Sequence, residues 1–555
     1  MSTRLIRRVL PVTLAGALIV LPLLGAPQKP EVKRKHVAAA EKVIGLKFTR
    51  AERDSLLEDV NANLASYRRL RELQLPNSVP PALQFNPAPV GFRFDSEQRE
   101  IVHAPVKEVT RPDNLEELAY YSVAQLGALI RTRQVSSTEL TKMYLERLKR
   151  YDPQLHCVIT LTEELALRQA ARADEELAAG HYRGPLHGIP YGAKDLLAAK
   201  GYKTTWGARP YQDQVIDEDA AVVVRLEEAG AVLVAKLTLG ALAWGDVWFG
   251  GMTRNPWNTD QGSSGSSAGP GSATAAGLVP FAIGSETWGS IVSPATRNGV
   301  TGLRPTFGRV SRAGAMALSW SMDKLGPMAR TVEDCALVFD AIRGSDGVDL
   351  TVVDLPFNYN YQVDWAGLRI GYLASAFEEQ DDTQVNNQAV LEVLRELGAD
   401  LVSIELPEFP VSDLAFILSA EAAAAFDELT LSGRDDLLVR QIKNAWPNSF
   451  RSARLIPAVE YIQANRARYQ LIQQMAVLFE QVDLYVAPAF IGDNLLLTNL
   501  TGHPCVVLPA GFDEQGSPTS ITFMGQLYDE GTILAVARAY QEATDWHLRR
   551  PPGFE

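Results

Sequence analysis

The chain has 555 residues with 46% hydrophobic and 21% charged side chains, a composition typical of globular proteins. This composition excludes a disordered chain, a collagen and a polytopic membrane protein. The net charge of −13 leaves no basic footprint, so no nucleic-acid partner is expected. Three widely spaced cysteines and seven histidines without metal-ligand spacing predict neither a disulfide framework nor a metal site.

Residues 1–26 predict a signal peptide or a signal anchor. Three arginines precede residues 9–26, an uncharged apolar run at the lower edge of the length that spans a bilayer. The residues before Pro27 form a poor cleavage site, so cleavage and retention both stay open. We therefore expect a protein exported to the periplasm or the extracellular space, or anchored to the membrane by residues 9–26.

Residues 27–114 predict an N-terminal helix followed by a proline-rich arm. From Thr49 to Leu73, apolar residues recur at helical spacing, which predicts a helix. Residues 75–113, here called the arm, are rich in proline and lack periodicity, so we expect them to lie extended on the body. The helix could cap its own body or that of a second copy, which leaves a homodimer open.

Residues 115–550 are predicted to form one large domain. Ser136 and Glu139 have the spacing of a capping box before a helical pattern. A helical segment, Gly230 and a short apolar strand then follow one another, and the helix–strand order recurs at residues 383–404 and 464–486. This alternation predicts an α/β fold in which helices cover a sheet.

A glycine- and serine-rich tract at residues 262–272 admits several interpretations. A flexible linker fits poorly, because the apolar segment 275–284 follows at once. A phosphate-binding loop would end in Gly-Lys-Ser or Gly-Lys-Thr, which the tract lacks. Residues 265–269 match the nucleophile elbow G-x-S-x-G around Ser267. The loose partners for such an elbow are Asp483 with His503 or His547.

A serine nucleophile can also be activated without histidine, if another group accepts its proton. Lys194 follows the uncharged, strand-like segment 189–193. Desolvation there would lower its pKa and allow the neutral amine to act as a base. By residue type alone, a lysine after an apolar strand is more typical of a solvated strand end.

Several segments in order resemble the amidase signature family. Residues 184–195 are similar to its lysine motif GPLHGIPxxxKD, and residues 266–294 to its glycine- and serine-rich signature. Further similarity lies at residues 299–311, 325–334 and 504–525, so the resemblance covers about residues 115–550. It implies one large domain with a mixed β-sheet covered by helices on both faces. It also implies an amide hydrolase that uses no cofactor and no metal.

The resemblance implies a Ser–Ser–Lys triad with Ser290 as nucleophile and Lys194 as base. The bridging serine, held through a cis peptide, would be Ser266, because its separation from Ser290 equals the separation in the family. Ser263 lies farther from Ser290 than the family spacing and is the misregistered alternative. Because the lysine must be neutral, activity is expected to rise toward alkaline pH.

The same resemblance assigns supporting roles around the triad. Backbone N–H groups of a turn would hold the oxyanion of the tetrahedral intermediate. The residues of this turn are Thr287, Trp288, Gly289 and Ser290. Behind the triad, the supporting side chains would be Ser267, Asp195 and Glu286.

Several positions depart from the family pattern, among them Ala268 and Pro270 in its Ser-Ser-Gly-Gly-Ser segment. Glu286 replaces its aspartate, and Trp288 replaces the first glycine of its Gly-Gly-Ser turn. If position 288 required a positive φ, a tryptophan would be strained there; we favour the interpretation that the indole overhangs and narrows the acyl site. Val292 stands where the family frequently has an arginine, which points away from acidic acyl groups.

The expected substrate is a small-molecule amide, and three alternatives stay open. These are an esterase with the same site, a glutamine-hydrolysing subunit of a tRNA-dependent amidotransferase, and a catalytically silent binding protein. The export-like N-terminus argues against the second, and the retained triad residues against the third. The arm and residues 410–460 are expected to form the specificity walls, and the apolar segment 411–426 favours an apolar acyl or aryl group.

Overall fold

The computed structural model describes residues 31–73, 75–378 and 383–554. The chain divides into two compact units, of which the first ends at Gln74 and the second begins at Leu75. The apolar segment of the predicted signal, residues 9–26, lies outside the described residues.

The first unit is helical. It contains α1 (Arg34–Ile44), α2 (Arg50–Ser55) and α3 (Leu57–Arg71). The helix predicted from Thr49 to Leu73 is thus two helices, which meet at Leu56. A capping box starts α2: the Thr49 hydroxyl accepts from the backbone N–H of Glu52, and the Glu52 carboxylate accepts from that of Thr49 at 2.6 Å.

The second unit alternates helices and strands. Its helices are α4 (Val123–Arg131), α5 (Ser137–Leu155), α6 (Glu163–Ala178), α7 (Ala221–Glu228), α8 (Ala268–Ala275), α9 (Val292–Asn298), α10 (Val332–Ile342), α11 (Ala374–Glu378), α12 (Gln384–Glu396), α13 (Phe416–Ala425), α14 (Asp427–Ser432), α15 (Trp446–Ala453), α16 (Ala458–Gln481), α17 (Asn494–Thr501) and α18 (Glu530–Thr544). Its strands are β1 (Val158–Leu161), β2 (Pro190–Lys194), β3 (Val232–Leu237), β4 (Val247–Trp248), β5 (Gly251–Met252), β6 (Arg254–Asn255), β7 (Asn258–Gly262), β8 (Phe281–Glu286), β9 (Thr301–Arg304), β10 (Lys324–Ala329), β11 (Ile370–Leu373), β12 (Leu401–Ile404), β13 (Leu484–Pro488), β14 (Cys505–Phe512) and β15 (Pro518–Gly525).

Eleven of the described strands form one sheet in the order β1-β3-β2-β8-β10-β9-β14-β15-β13-β11-β12. Strands β3, β2 and β8 run parallel, as do β13, β11 and β12, while the remaining pairs are antiparallel. Helices flank this sheet. The structure therefore confirms the predicted mixed α/β fold.

The arm begins the second unit and lies extended along the rest of it. The Asn77 side chain donates to the carbonyl of Ala317 and accepts from its backbone N–H, both at 2.8 Å. Further along, Val102 pairs through its backbone with Tyr359 and Tyr361. Hydrogen bonds of this kind satisfy the polar backbone of a segment that has no regular structure of its own.

Strand β2 carries Lys194 into the interior. All five of its residues are buried, as is typical of a strand between parallel neighbours with both faces covered. Gly192 and Ala193 lie beside Ala282 and Ile283 of β8. Because the two strands are parallel, Lys194 at the end of β2 lies near the end of β8, where Glu286 leads into the turn 287–290.

Candidate active site

The amine of Lys194 is surrounded by hydroxyl groups. Its Nζ lies 2.8 Å from Ser266 Oγ, 3.0 Å from Ser267 Oγ and 2.8 Å from Ser285 Oγ, and the side chain is completely buried. A hydroxyl can either donate or accept a hydrogen bond, so these partners suit a neutral amine as well as a charged one. The arrangement offers the amine a shell of polar groups without a paired carboxylate.

Burial favours the neutral form of this lysine. Loss of water lowers the pKa of Lys194 well below its ordinary value, and the more distant carboxylates of Asp323 and Glu286 only partly oppose the shift. The lysine is therefore suited to accept a proton. The solvated strand end that the sequence also allowed is excluded by its burial.

Of the two competing serines, Ser266 contacts the lysine. The peptide bond between Gly265 and Ser266 is cis. Ser263 instead donates its hydroxyl to the carbonyl of Ser264 at 3.0 Å. The geometry thus pairs Lys194 with the serine that the family spacing selects.

Ser267 connects the glycine- and serine-rich tract to the end of β8. Its hydroxyl donates to the carbonyl of Ser285 and accepts from the backbone N–H of the same residue, both at 3.1 Å. Its own backbone N–H donates to the carbonyl of Ser290 at 3.1 Å. Ser290 therefore lies directly beside the serine pair that contacts Lys194.

Two side chains that the sequence offered as partners of a nucleophile elbow at Ser267, His503 and Asp483, contact other groups. His503 bonds the hydroxyl of Thr501 at 2.8 Å, and burial lowers the pKa of this imidazole to about 3. Asp483 forms an ion pair with Arg369 at 2.7 Å. No described histidine or aspartate is hydrogen-bonded to Ser267, so this alternative lacks its relay.

The turn 287–290 joins β8 to α9. Its left-handed residue is Gly289, with φ +83°, and not Trp288. The strained tryptophan considered from the sequence is therefore absent, and the indole of Trp288 stays 47% exposed. Ser290 is 8% exposed at the end of the turn. The backbone N–H groups of residues 287–290 donate to no other group among the described residues, which leaves them free to bind an oxyanion.

Glu286 holds this turn in place. Its Oε2 accepts from the backbone N–H groups of Ile291 and Val292 at 2.8 and 2.9 Å. Its Oε1 accepts from Arg304 and Asn499, both at 2.8 Å. Burial by itself would raise the pKa of Glu286, but the charge and hydrogen bond of Arg304 lower it to about 2.

Asp195 lies apart from the serines. One of its oxygens pairs with Lys236 Nζ at 2.7 Å, and the other accepts from the backbone and hydroxyl of Thr205 at 2.8 and 2.6 Å. All three residues are buried. Asp195 therefore fixes the loop beyond β2 and has no direct contact with the hydroxyl cluster.

Two residues of the site were missed from the sequence. Ser285 supplies a hydroxyl to Lys194, and Asp323 accepts from the Thr287 hydroxyl at 2.6 Å. Asp323 precedes β10, whose first residue Lys324 pairs with Glu286 of β8. The position of Asp323 beside Thr287 follows from the antiparallel pairing of β8 with β10, which the sequence does not reveal.

Comparison with known proteins assigns the chain to a family. A sequence model of the family described as Amidase matches residues 139–497, which is more than half of the chain. The chain belongs to the amidase signature family. It is accordingly an enzyme that acts on carbon–nitrogen amide bonds, as the resemblance implied.

The similar proteins include amidotransferase subunits and a peptide amidase. A glutamyl-tRNA(Gln) amidotransferase subunit from Methylococcus capsulatus is 37% identical over 78% of this chain and 99% of its own length, and the corresponding protein of Halorhodospira halophila is 35% identical over the same shares. The native peptide amidase of Stenotrophomonas maltophilia superposes with a TM-score of 0.70 at 32% identity, over 79% of this chain and all of its own.

The prediction of an exported or membrane-anchored protein is wrong. The relatives that match most of the chain are named for a glutamyl-tRNA(Gln) amidotransferase, and none of these names describes an exported or anchored protein. The prediction depended on residues 9–26, an apolar run at the lower edge of the spanning length, which does not by itself establish a membrane crossing. Among the helices of the described ranges, none has the length and apolar character that a bilayer crossing needs.

The buried ion pair between Arg304 and Glu286 yields a stability prediction. Arg304→Met would leave a buried carboxylate without its cation, and we expect the free energy of unfolding to fall by about 3–5 kcal/mol. Adding Glu286→Gln should recover part of the loss, because the uncompensated charge is then absent. Denaturant unfolding of the three proteins measures both effects.

An exposed ion pair in the same unit serves as the control. Arg99→Met removes the surface pair with Asp95 and should cost no more than about 1 kcal/mol. An equal loss in Arg99→Met and Arg304→Met would contradict the special role of the buried pair.

Proposed function

We propose that the chain hydrolyses a carboxylic amide through an acyl-enzyme on Ser290, with Lys194 as base and Ser266 as the bridging serine. The observation that carries the proposal is the buried amine of Lys194, which has hydroxyls and no carboxylate as side-chain partners. Such an amine can take a proton from Ser266 while Ser266 takes one from Ser290. Family membership supports the same chemistry.

The reaction then proceeds in two steps. Ser290 Oγ attacks the amide carbonyl carbon, and the N–H groups of residues 287–290 hold the negative oxygen. The carbon–nitrogen bond breaks as the proton returns through Ser266 to the leaving nitrogen. Water activated by the same relay cleaves the acyl-enzyme, which releases the acid and restores Ser290.

Labelling with a fluorophosphonate tests the nucleophile directly. We expect the probe to modify Ser290 of the full-length protein, as located by peptide mapping, and Ser290→Ala to abolish the modification. Lys194→Ala and Ser266→Ala should each slow labelling by about 10²- to 10⁴-fold, because each removes the proton relay. Ser263→Ala is the matched control and should label at the wild-type rate, since its hydroxyl bonds only Ser264.

Each other outcome has a definite meaning. Modification of Ser267 would replace the proposed triad with a nucleophile elbow. A folded protein that resists the probe and cleaves no amide would be a catalytically silent binding protein. Equal effects of Ser263→Ala and Ser266→Ala would remove the assignment of the bridging serine.

The pH dependence of kcat/KM tests the protonation state of the base. Only the neutral amine accepts a proton, so the rate should rise with pH and level off above the pKa of Lys194. Burial lowers that pKa well below the ordinary 10.5, so the plateau should begin at a lower pH than an exposed lysine would allow. Lys194→Arg keeps a permanent charge and should be inactive at every pH. A rate that falls steadily as pH rises would contradict the proposal.

A second candidate function comes from the names of the relatives. They suggest a component of a tRNA-dependent amidotransferase, which would assemble with partner subunits and hydrolyse glutamine. If the chain is a self-contained amidase, we expect it to cleave apolar amides alone and to release little ammonia from glutamine. Ammonia release from glutamine that appears only after partner subunits are added would favour the second candidate. A coupled enzyme assay measures ammonia release from glutamine, and chromatography measures cleavage of the apolar amide.

A further inference from the structure

We propose that Arg440 and Trp244 form a subsite for a carboxylate on the amine portion of the substrate. The bond cleaved would then join an acyl group to an amine that carries an acid. The inference rests on the function proposed above and names its substrate class. Its basis is an unpaired cation, a strained loop and the position of both beside Ser266.

Arg440 is a cation with no counter-charge paired to it among the described residues. Its guanidinium carbon lies 4.6 Å from the centre of a Trp244 ring, its side chain is half-buried, and it forms no ion pair within the described residues. Stacking uses the flat face of the guanidinium and leaves the N–H groups at its edge free. These edges match the two oxygens of a carboxylate.

The subsite lies close to the bridging serine. Arg440 Nη1 is 3.3 Å from the place a Cβ of Gly245 would occupy. The carbonyl of Gly245 in turn packs so closely on Gly265 that a Cβ there would lie 1.8 Å from it. Gly265 immediately precedes Ser266. Because Ser266 returns the proton to the leaving nitrogen, the amine portion of the substrate lies on this side of the site.

The backbone that presents Trp244 is strained. Leu242 and Ala243 are consecutive non-glycine residues in the left-handed region, with φ +52° and +62°. The indole of Trp446 donates to the carbonyl of Leu242 at 3.0 Å, and Trp446 itself stacks on Phe450 with centroids 5.0 Å apart. Strain of this kind persists where the surroundings enforce it, and it concentrates at binding sites.

The turn that carries Ser290 presents apolar groups. There the exposed indole of Trp288 adjoins Ser290, and the Leu495 side chain lies 3.0 Å from the Cβ position of Gly289. Val292 supplies no cation on this side. A carboxylate on the acyl group would thus find no partner there, whereas one on the amine would find Arg440.

A matched pair of anilides tests the subsite. Both carry the same butanoyl group, one on 4-aminobenzoate and the other on 4-methylaniline, so that only the carboxylate differs. We expect Arg440→Gln to lower the ratio of kcat/KM for the acid over the neutral substrate by about 10- to 100-fold. Arg440→Lys keeps the charge but not the forked pair of N–H groups. Its ratio should therefore lie between those of the wild type and Arg440→Gln.

Arg434→Gln is the matched control. Arg434 also stacks on an aromatic ring, that of Tyr211 at 5.6 Å, but it is paired with Glu428 at 3.2 Å. The ratio should therefore match that of the wild type. A ratio that Arg440→Gln leaves unchanged, or that Arg434→Gln lowers equally, would overturn the inference.

A second readout needs no turnover. In the wild type, 4-aminobenzoate should slow fluorophosphonate labelling of Ser290 more than 4-methylaniline does, and Arg440→Gln should remove this difference. Equal protection by the two amines in a wild type that labels at Ser290 would overturn the subsite and leave the proposed hydrolase intact. Absence of labelling at Ser290 would instead overturn the function on which the subsite depends.

Discussion

The site depends on excluding water from the amine of Lys194, at the end of the buried strand β2. Burial makes a charged ammonium costly in the interior, so it lowers the pKa of Lys194 and favours the neutral amine. The hydroxyls that replace water come from Ser266 and Ser267, just before α8, and from Ser285 on β8. Parallel pairing of β2 with β8 brings these groups to the same end of the sheet.

Lys194 has no ion pair because the nearby carboxylate of Glu286 is bonded to other groups. Glu286 is buried close enough to oppose the lowered pKa of Lys194, and a direct ion pair between them would make the lysine a poor base. Arg304, Asn499 and two backbone N–H groups take up both oxygens of Glu286 instead. The same four bonds hold the turn that carries Ser290, so one carboxylate orders the turn and leaves the amine free.

Two aromatic side chains frame this chemistry differently. Trp288 belongs to the turn itself and presents an apolar surface beside Ser290. Trp244 belongs to a strained loop beside Ser266 and carries a guanidinium on its ring. In the proposed site, the first indole offers an apolar surface and the second stacks on the guanidinium of Arg440. The two ends of an amide would thus meet surfaces of opposite character, which is a physical basis for orientation as well as for selectivity.

The sequence by itself determined the features that depend on near neighbours. Periodicity predicted the α/β class, and capping-box spacing predicted the start of α5, where the Ser136 hydroxyl and the Glu139 carboxylate bond each other's backbone at 3.1 and 2.9 Å. The motif spacing also selected Ser266 over Ser263. These are local properties, because each rests on residues that are close in the chain or on a motif of constant length.

Only the tertiary structure decided what distant segments bring together. Asp323 reaches Thr287 through the pairing of β8 and β10, and Arg440 reaches Gly245 from a remote part of the chain, with no pattern in either segment to announce it. The structure also shows two backbone conformations that residue types leave open, the break between α2 and α3 at Leu56 and a left-handed residue at Gly289 instead of Trp288. Hydropathy measures transfer out of water and not the cellular location of a protein. An apolar run such as residues 9–26 therefore does not by itself establish export or membrane anchoring.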